Sequence, residues 1–198
     1  MRRTLLTDLG LAKEAERAVA HFAVSDLENA QFVIAQPQQS NERGFNEGAG
    51  YCAWHDYTHP EFYAGVRAGI SFTNMPYVLN AGPSCGQNSV NDGAAGTLDG
   101  VTIVLGHEIE ETVTDPGAEE LVSMQELGAW FDYSGYENGD KCAWVGATGL
   151  APASTVPGGL NDIRGNDGQR YAVQSLWSND AAAGAGYCAG AGDDLPAG

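Results

Sequence analysis

Basic residues are scarce in this chain. Nine Lys and Arg stand against 26 Asp and Glu, leaving a formal charge of −17. That imbalance repels nucleic acid and anionic membrane surfaces, so neither is expected as a partner. No stretch approaches the ~20 apolar residues that span a bilayer, so no membrane helix is expected. The opening MRRTLLTDLGL has two arginines but no sustained apolar region, and Asp8 interrupts it, so it does not read as a signal peptide. No pair of cysteines has the C-x-x-C spacing of a zinc ribbon or a dithiol redox site. Internal repeats and low-complexity linkers are missing as well.

What remains describes a folded protein. With 198 residues, 43% of them hydrophobic and 18% charged, one domain can bury a real core. The expected layout is a single domain over 1–198. It has an N-terminal helix at about 8–24, a core from about 31 to 188 and a frayed tail over 189–198. The cysteines, Cys52, Cys85, Cys142 and Cys188, are even in number. Two disulfides are the economical reading and imply an oxidising compartment. The chain is therefore expected to be secreted, with its export signal and any pro-segment lying outside this sequence. Three pairings are possible, and four buried free thiols are the alternative. Cys52–Cys85 with Cys142–Cys188 is favoured, one clamp before the central helix and one after it.

That central helix is the stretch Thr97 to Pro116, TLDGVTIVLGHEIEETVTDP. Asp99 is the expected N-cap, and Pro116 should end the helix near Val113 to Asp115. Val101, Leu105, Ile109 and Val113 fall on one stripe, while His107, Glu111 and Thr114 share the opposite side. Ile103 and Val104 precede His107 on its own side, which places His107 and Glu111 at the floor of a cleft. Gly106 would let another segment approach closely. His and Glu four residues apart can both reach one cation. A catalytic zinc needs three protein ligands and one open position. Glu108 would then serve as the base that takes a proton from water. His-Glu-x-x-Glu differs from the familiar H-E-x-x-H by its second ligand, and a solvated helix face or a calcium site stays open.

Around this helix, 11–24 carries an inner face of Leu11, Ala15, Ala18, Val19 and Phe22. Strands are expected at 31–36, at 51–55 running into a turn at His59-Pro60, at 70–80 and at 171–179. Pro76 should demote the third to an edge or a bulge. Downstream, Asp132, Glu137 and Asp140 lie among aromatics and glycines. Glu137 is the preferred third metal ligand, with Asp140 as the other candidate or as part of a calcium site. His55 has three readings: a hydrogen-bonded structural residue, a group that polarises a carbonyl or an oxyanion, or a zinc ligand itself. Tyr57 and Tyr133 are candidate oxyanion donors, and His59 reads as a turn residue.

Five ordered motifs resemble a known group. They are Tyr51-Cys-Ala-Trp-His-Asp56, Tyr77 through Cys85-Gly86, Gly106-His-Glu-x-x-Glu-Thr-x-Thr-Asp115, Glu137-Asn-Gly-Asp-Lys-Cys-Ala-Trp144 and Val173-Gln-x-x-Trp-Ser-Asn179. Between about Gln31 and Cys188 the chain is similar to secreted bacterial relatives of the plant phosphate-induced, or exordium-like, proteins. The resemblance implies a secreted, disulfide-bonded domain whose His-Glu-x-x-Glu helix looks like that of a zinc peptidase. It puts His107, Glu108, Glu111, Asp115, Glu137 and Asp140 on motif positions.

The expectation is an α+β domain, with a small mixed or antiparallel sheet packed on a zincin-like active-site helix. The function expected is that of a secreted, monomeric zinc metallopeptidase acting on neutral or cationic peptides or proteins. The alternative is a non-catalytic extracellular binding module with a structural calcium or zinc ion.

Overall fold

In the computed structural model, residues 7–38, 45, 50–117, 130–145 and 160–190 are described. Their centre is β3 (Ser71–Met75), a strand buried at all five positions. β1 (Gln31–Ala35) pairs with it in parallel and β2 (Trp54–Tyr57) antiparallel, giving a mixed sheet of order β1-β3-β2. Pro76 was expected to make this stretch an edge strand or a bulge, but β3 lies in the middle. The proline falls one residue past the strand's end, so its missing N–H costs the ladder nothing.

The period of two in β3 sends its side chains to two different helices. Phe72 points to one face, edge-on to Trp54 and Tyr63, in a core completed by Leu11, Ala12, Ala15 and Val19 of α1 (Asp8–His21). Thr7 caps α1 by accepting the Gly10 N–H through its hydroxyl. Phe22 was expected on the inner face and is 70% exposed. The helix ends at His21, and Ala23 adopts a positive φ of 52° that turns the chain away. On the other face, Met75 packs with Val104, Val78 and Cys85 against α2 (Asp99–Thr114). The Gln31 side-chain amide stitches these layers, donating to Thr73 Oγ1 (2.5 Å) and Thr112 Oγ1 (2.7 Å).

α2 ends at Thr114, two residues before Pro116, as the sequence predicts. Its start differs from expectation. Leu98 occupies the N-cap without a side-chain bond, and Asp99 sits inside the first turn. The buried Asp99 carboxylate instead accepts the N–H groups of Val90 and Asn91 and the Asn91 amide, which ties down the connection into the helix. Close approach occurs at Gly100, where a Cβ would lie 1.9 Å from the Cys85 carbonyl oxygen; Gly106 faces open space. The expected apolar stripe is the less covered side. Ile109 and Val113 are exposed, Val113 at 73%, whereas Ile103, Val104, Glu108, Glu111 and Thr112 are buried.

The downstream segments cover that buried side. β4 (Asn161–Arg164) and β5 (Arg170–Val173) form an antiparallel pair, and the Thr102 hydroxyl on α2 donates to the Ala172 carbonyl. The strand expected over 171–179 breaks at Gln174-Ser175 and resumes as β6 (Leu176–Ser178). β6 pairs with β7 (Tyr187–Ala189) across a short helix, α3 (Ala181–Gly184). Ala189, expected in the frayed tail, is thus part of a strand; 191–198 lie outside the described residues.

Both favoured disulfides are present, Cys52–Cys85 and Cys142–Cys188. They close separations of 33 and 46 residues, each worth roughly 4 kcal/mol through the restricted unfolded chain. Such bonds fit an oxidising compartment. No helix among the described residues is long and apolar enough to cross a membrane. The architecture is α+β.

Candidate metal centre

The site forms where β2, the end of α2 and the 3₁₀ turn Asp140–Cys142 converge. α2 supplies His107, Glu108 and Glu111 from the side covered by the sheet and β5. β2 supplies His55, whose register opposite Thr73 points it at the helix. The Cys142–Cys188 bond anchors the turn that carries Asp140.

Glu111 is the hub. Its Oε1 accepts the Asp140 backbone N–H at 2.9 Å. Its Oε2 lies 3.0 Å from His107 Nε2 and 3.8 Å from His55 Nδ1. Two trios of ligand atoms result, His107/Glu111/Asp140 and His55/Glu111/Glu137, each with all members within 4.8 Å of one another. In the first, His107 Nε2 is 3.6 Å from Asp140 Oδ1. Donors about 2 Å from a tetrahedral zinc stand about 3.3 Å apart, so these separations suit one ion. Glu137, the preferred third ligand, falls in the second trio, with its Oε2 3.7 Å from His55 Nε2. Asp140 takes the first position because its turn lies directly over Glu111.

Hydrogen bonds orient both imidazoles. The Gln174 amide nitrogen donates to the Gly139 carbonyl at 2.9 Å, so its oxygen faces His107 Nδ1 at 3.2 Å. His107 therefore donates through Nδ1 and presents Nε2 to the trio, the arrangement that ligating histidines adopt. His55 Nε2 donates to the Asp115 carbonyl (2.9 Å), leaving Nδ1 toward Glu108 Oε2 at 3.2 Å. Gly139 makes room for this packing: a Cβ there would lie 2.8 Å from Glu111 Oε1.

Burial alone would push both imidazoles down, but the surrounding carboxylates outweigh it and raise each to about 9. Glu108 and Glu137 act on His55; Glu111, Glu108 and Asp140 act on His107. Burial raises the Glu137 carboxyl to about 9, opposed by His55 and reinforced by Glu111, Asp115 and Asp140. Burial also lifts Glu108 above the usual carboxyl range, against the hydrogen bond from His55.

One side is open. A cleft of about 200 Å³ is lined by His107, Glu108, Asp140 and Gln174, with Tyr51, Val104 and Trp144 among its other walls. His55 lies behind Glu108 and is not among the cleft residues, so it is not placed to polarise a carbonyl there. Tyr133 projects fully into solvent and the Tyr57 hydroxyl lies beside Gly69, so neither oxyanion candidate reaches the site. His59 Nδ1 accepts the Glu61 N–H within a turn.

No family model, curated protein or solved structure matches this chain. The chemistry is therefore read from the side chains themselves. Among them Gln174 was given no role from the sequence, although it stands in the Val173-Gln-x-x-Trp motif. Replacing it by leucine removes the acceptor that fixes the His107 ring. Affinity for a divalent cation, with zinc as the probe, is expected to fall about 10- to 100-fold, measured by competition with a chromophoric chelator; unchanged affinity would mean that Gln174 orients nothing.

Proposed function

We propose that this chain is a secreted metal-dependent hydrolase, and most specifically a zinc metallopeptidase. The observation that carries this reading is the His107/Glu111/Asp140 trio, whose His107 and Asp140 line the cleft together with the buried carboxyl of Glu108. The donor set fits zinc: one imidazole nitrogen oriented by Gln174 and two carboxylate oxygens, with the cleft on the open side. Calcium prefers six to eight oxygens, so imidazole at the centre favours zinc over the calcium-module alternative. A zinc ion bound there supplies Lewis acidity at the cleft.

The chain's own residues do the rest. Glu108, raised by burial, receives a proton from the attacking water and passes it to the leaving amine. His55 holds Glu108 in place through Nδ1, making it a positioning residue. Asp140 and Glu108 line a cleft on a chain of net charge −17, which favours neutral or cationic peptides. The exordium-like motifs and the two disulfides support secretion.

The test is elemental analysis of the purified protein, with turnover of a fluorogenic peptide library before and after chelation. Bound zinc, loss of cleavage on chelation and recovery on adding zinc are expected. Turnover that survives complete removal of metal would end this reading.

A further inference from the structure

The two imidazoles fall in different trios, and both trios contain Glu111. His107 and Asp140 take the cleft side; His55 and Glu137 lie deeper, with side chains only 5% and 6% exposed. Glu137 Oε2 is buried there with no hydrogen-bond partner among the described residues, 3.7 Å from His55 Nε2. A buried carboxylate oxygen left in this way is costly unless a proton or a cation meets it. The charge count agrees. Glu108, Glu111, Asp115 and Glu137 are all buried around the imidazoles, and Asp140 closes the cleft side. With all five ionised, a single divalent cation offsets two of the negative charges and leaves three; a second leaves one. Carboxylates that outnumber two histidines about two to one are also the donor set of carboxylate-bridged two-metal centres.

We infer that His55, Glu111 and Glu137 form a second divalent-cation position, and that Glu111 bridges it to the cleft-facing one; on filling it His55 gives up its hydrogen bond to the Asp115 carbonyl and offers Nε2 to the ion, while Nδ1 stays toward Glu108. The inner position is closed and tight, and the outer is open to the cleft. The inference depends on the proposed function only for the identity of the outer site. It concerns occupancy, so it can be tested without a substrate.

The chain is stripped with chelator, titrated with zinc alone and analysed for bound metal after desalting. The wild type is expected to retain two zinc ions per chain. Glu137→Gln, which keeps the side chain's volume, should retain one, and Asp140→Asn should retain the other. Loading with manganese(II) gives a second readout that needs no variant. Two ions roughly 4 Å apart give an exchange-coupled spectrum, whereas isolated ions give six lines. Saturation at one zinc with an uncoupled manganese spectrum, or an unchanged count of two in Glu137→Gln, overturns the inference. If that single ion is lost in Asp140→Asn but kept in Glu137→Gln, the proposed hydrolase site survives and only the second position falls. If no zinc binds at all, both fall.

Discussion

Glu108→Gln is expected to lower kcat about 10³-fold with little change in KM and none in zinc content. Glu108 belongs to neither trio of ligand atoms, so the substitution should leave the metal in place. Glutamine preserves the volume of a side chain that is 4% exposed, and its amide oxygen can still accept from His55 Nδ1. What it loses is the capacity to take a proton. The position suits proton transfer in both directions. Glu108 lines the cleft, and burial holds its carboxyl above the ordinary range, closer to neutrality, where a base also serves as an acid. The check is steady-state kinetics on zinc-loaded protein, with metal content measured on the same sample. Activity within about tenfold of wild type would remove Glu108 as the base. Loss of zinc together with activity would instead make it a ligand.

How far the chain discloses this site depends on which residues are local to α2. His107, Glu108 and Glu111 come from one helical spacing, and the proline that ends the helix is explicit, so the sequence identifies them together. The sequence leaves three pairings of the cysteines open; the structure has the favoured one, with one bond on each side of that helix. The contributions of His55, Glu137 and Asp140 depend on long-range geometry. Sequence order alone cannot decide that Asp140 rather than Glu137 comes to lie beside His107. That outcome follows from the Asp140–Cys142 turn resting on Glu111, held by a disulfide to β7. The two faces of α2 misled for a related reason. Val113 and Ile109 look like core, and acids look like surface, when each residue is weighed alone. Here the acids are buried because imidazoles from two elements meet them, a pairing that hydrophobic periodicity does not register. Likewise Asp99 has the chemistry of an N-cap, but the N–H groups of the preceding loop take its carboxylate.

The same crowding predicts a steep pH dependence. In the metal-free chain His55 and His107 are raised from 6.5 to about 9, because neighbouring carboxylates outweigh burial. Their contribution to stability is complete below pH 6.5 and is lost as pH rises through about 9. Glu137 is raised from 4.5 to about 9, chiefly by burial. Between those values the unfolded chain has released its proton and the folded chain still holds it, so stability again falls as pH rises. The signs agree. At about 1.4 kcal/mol per pH unit for each group that keeps its proton, the metal-free fold should lose several kcal/mol between pH 6.5 and 9, read from urea unfolding midpoints at a series of pH values. A divalent cation competes with the same protons, so its binding releases them and its affinity climbs across this window, about tenfold to a hundredfold per pH unit. Titration calorimetry in buffers of different ionisation enthalpy counts the protons directly, and at pH 7 at least one should leave for each zinc bound. Zinc-loaded protein, its imidazoles already deprotonated by coordination, should keep its unfolding midpoint where the metal-free chain weakens. A proton count of zero, with metal-free and zinc-loaded midpoints that run parallel from pH 6.5 to 9, would show that these side chains do not share a cation.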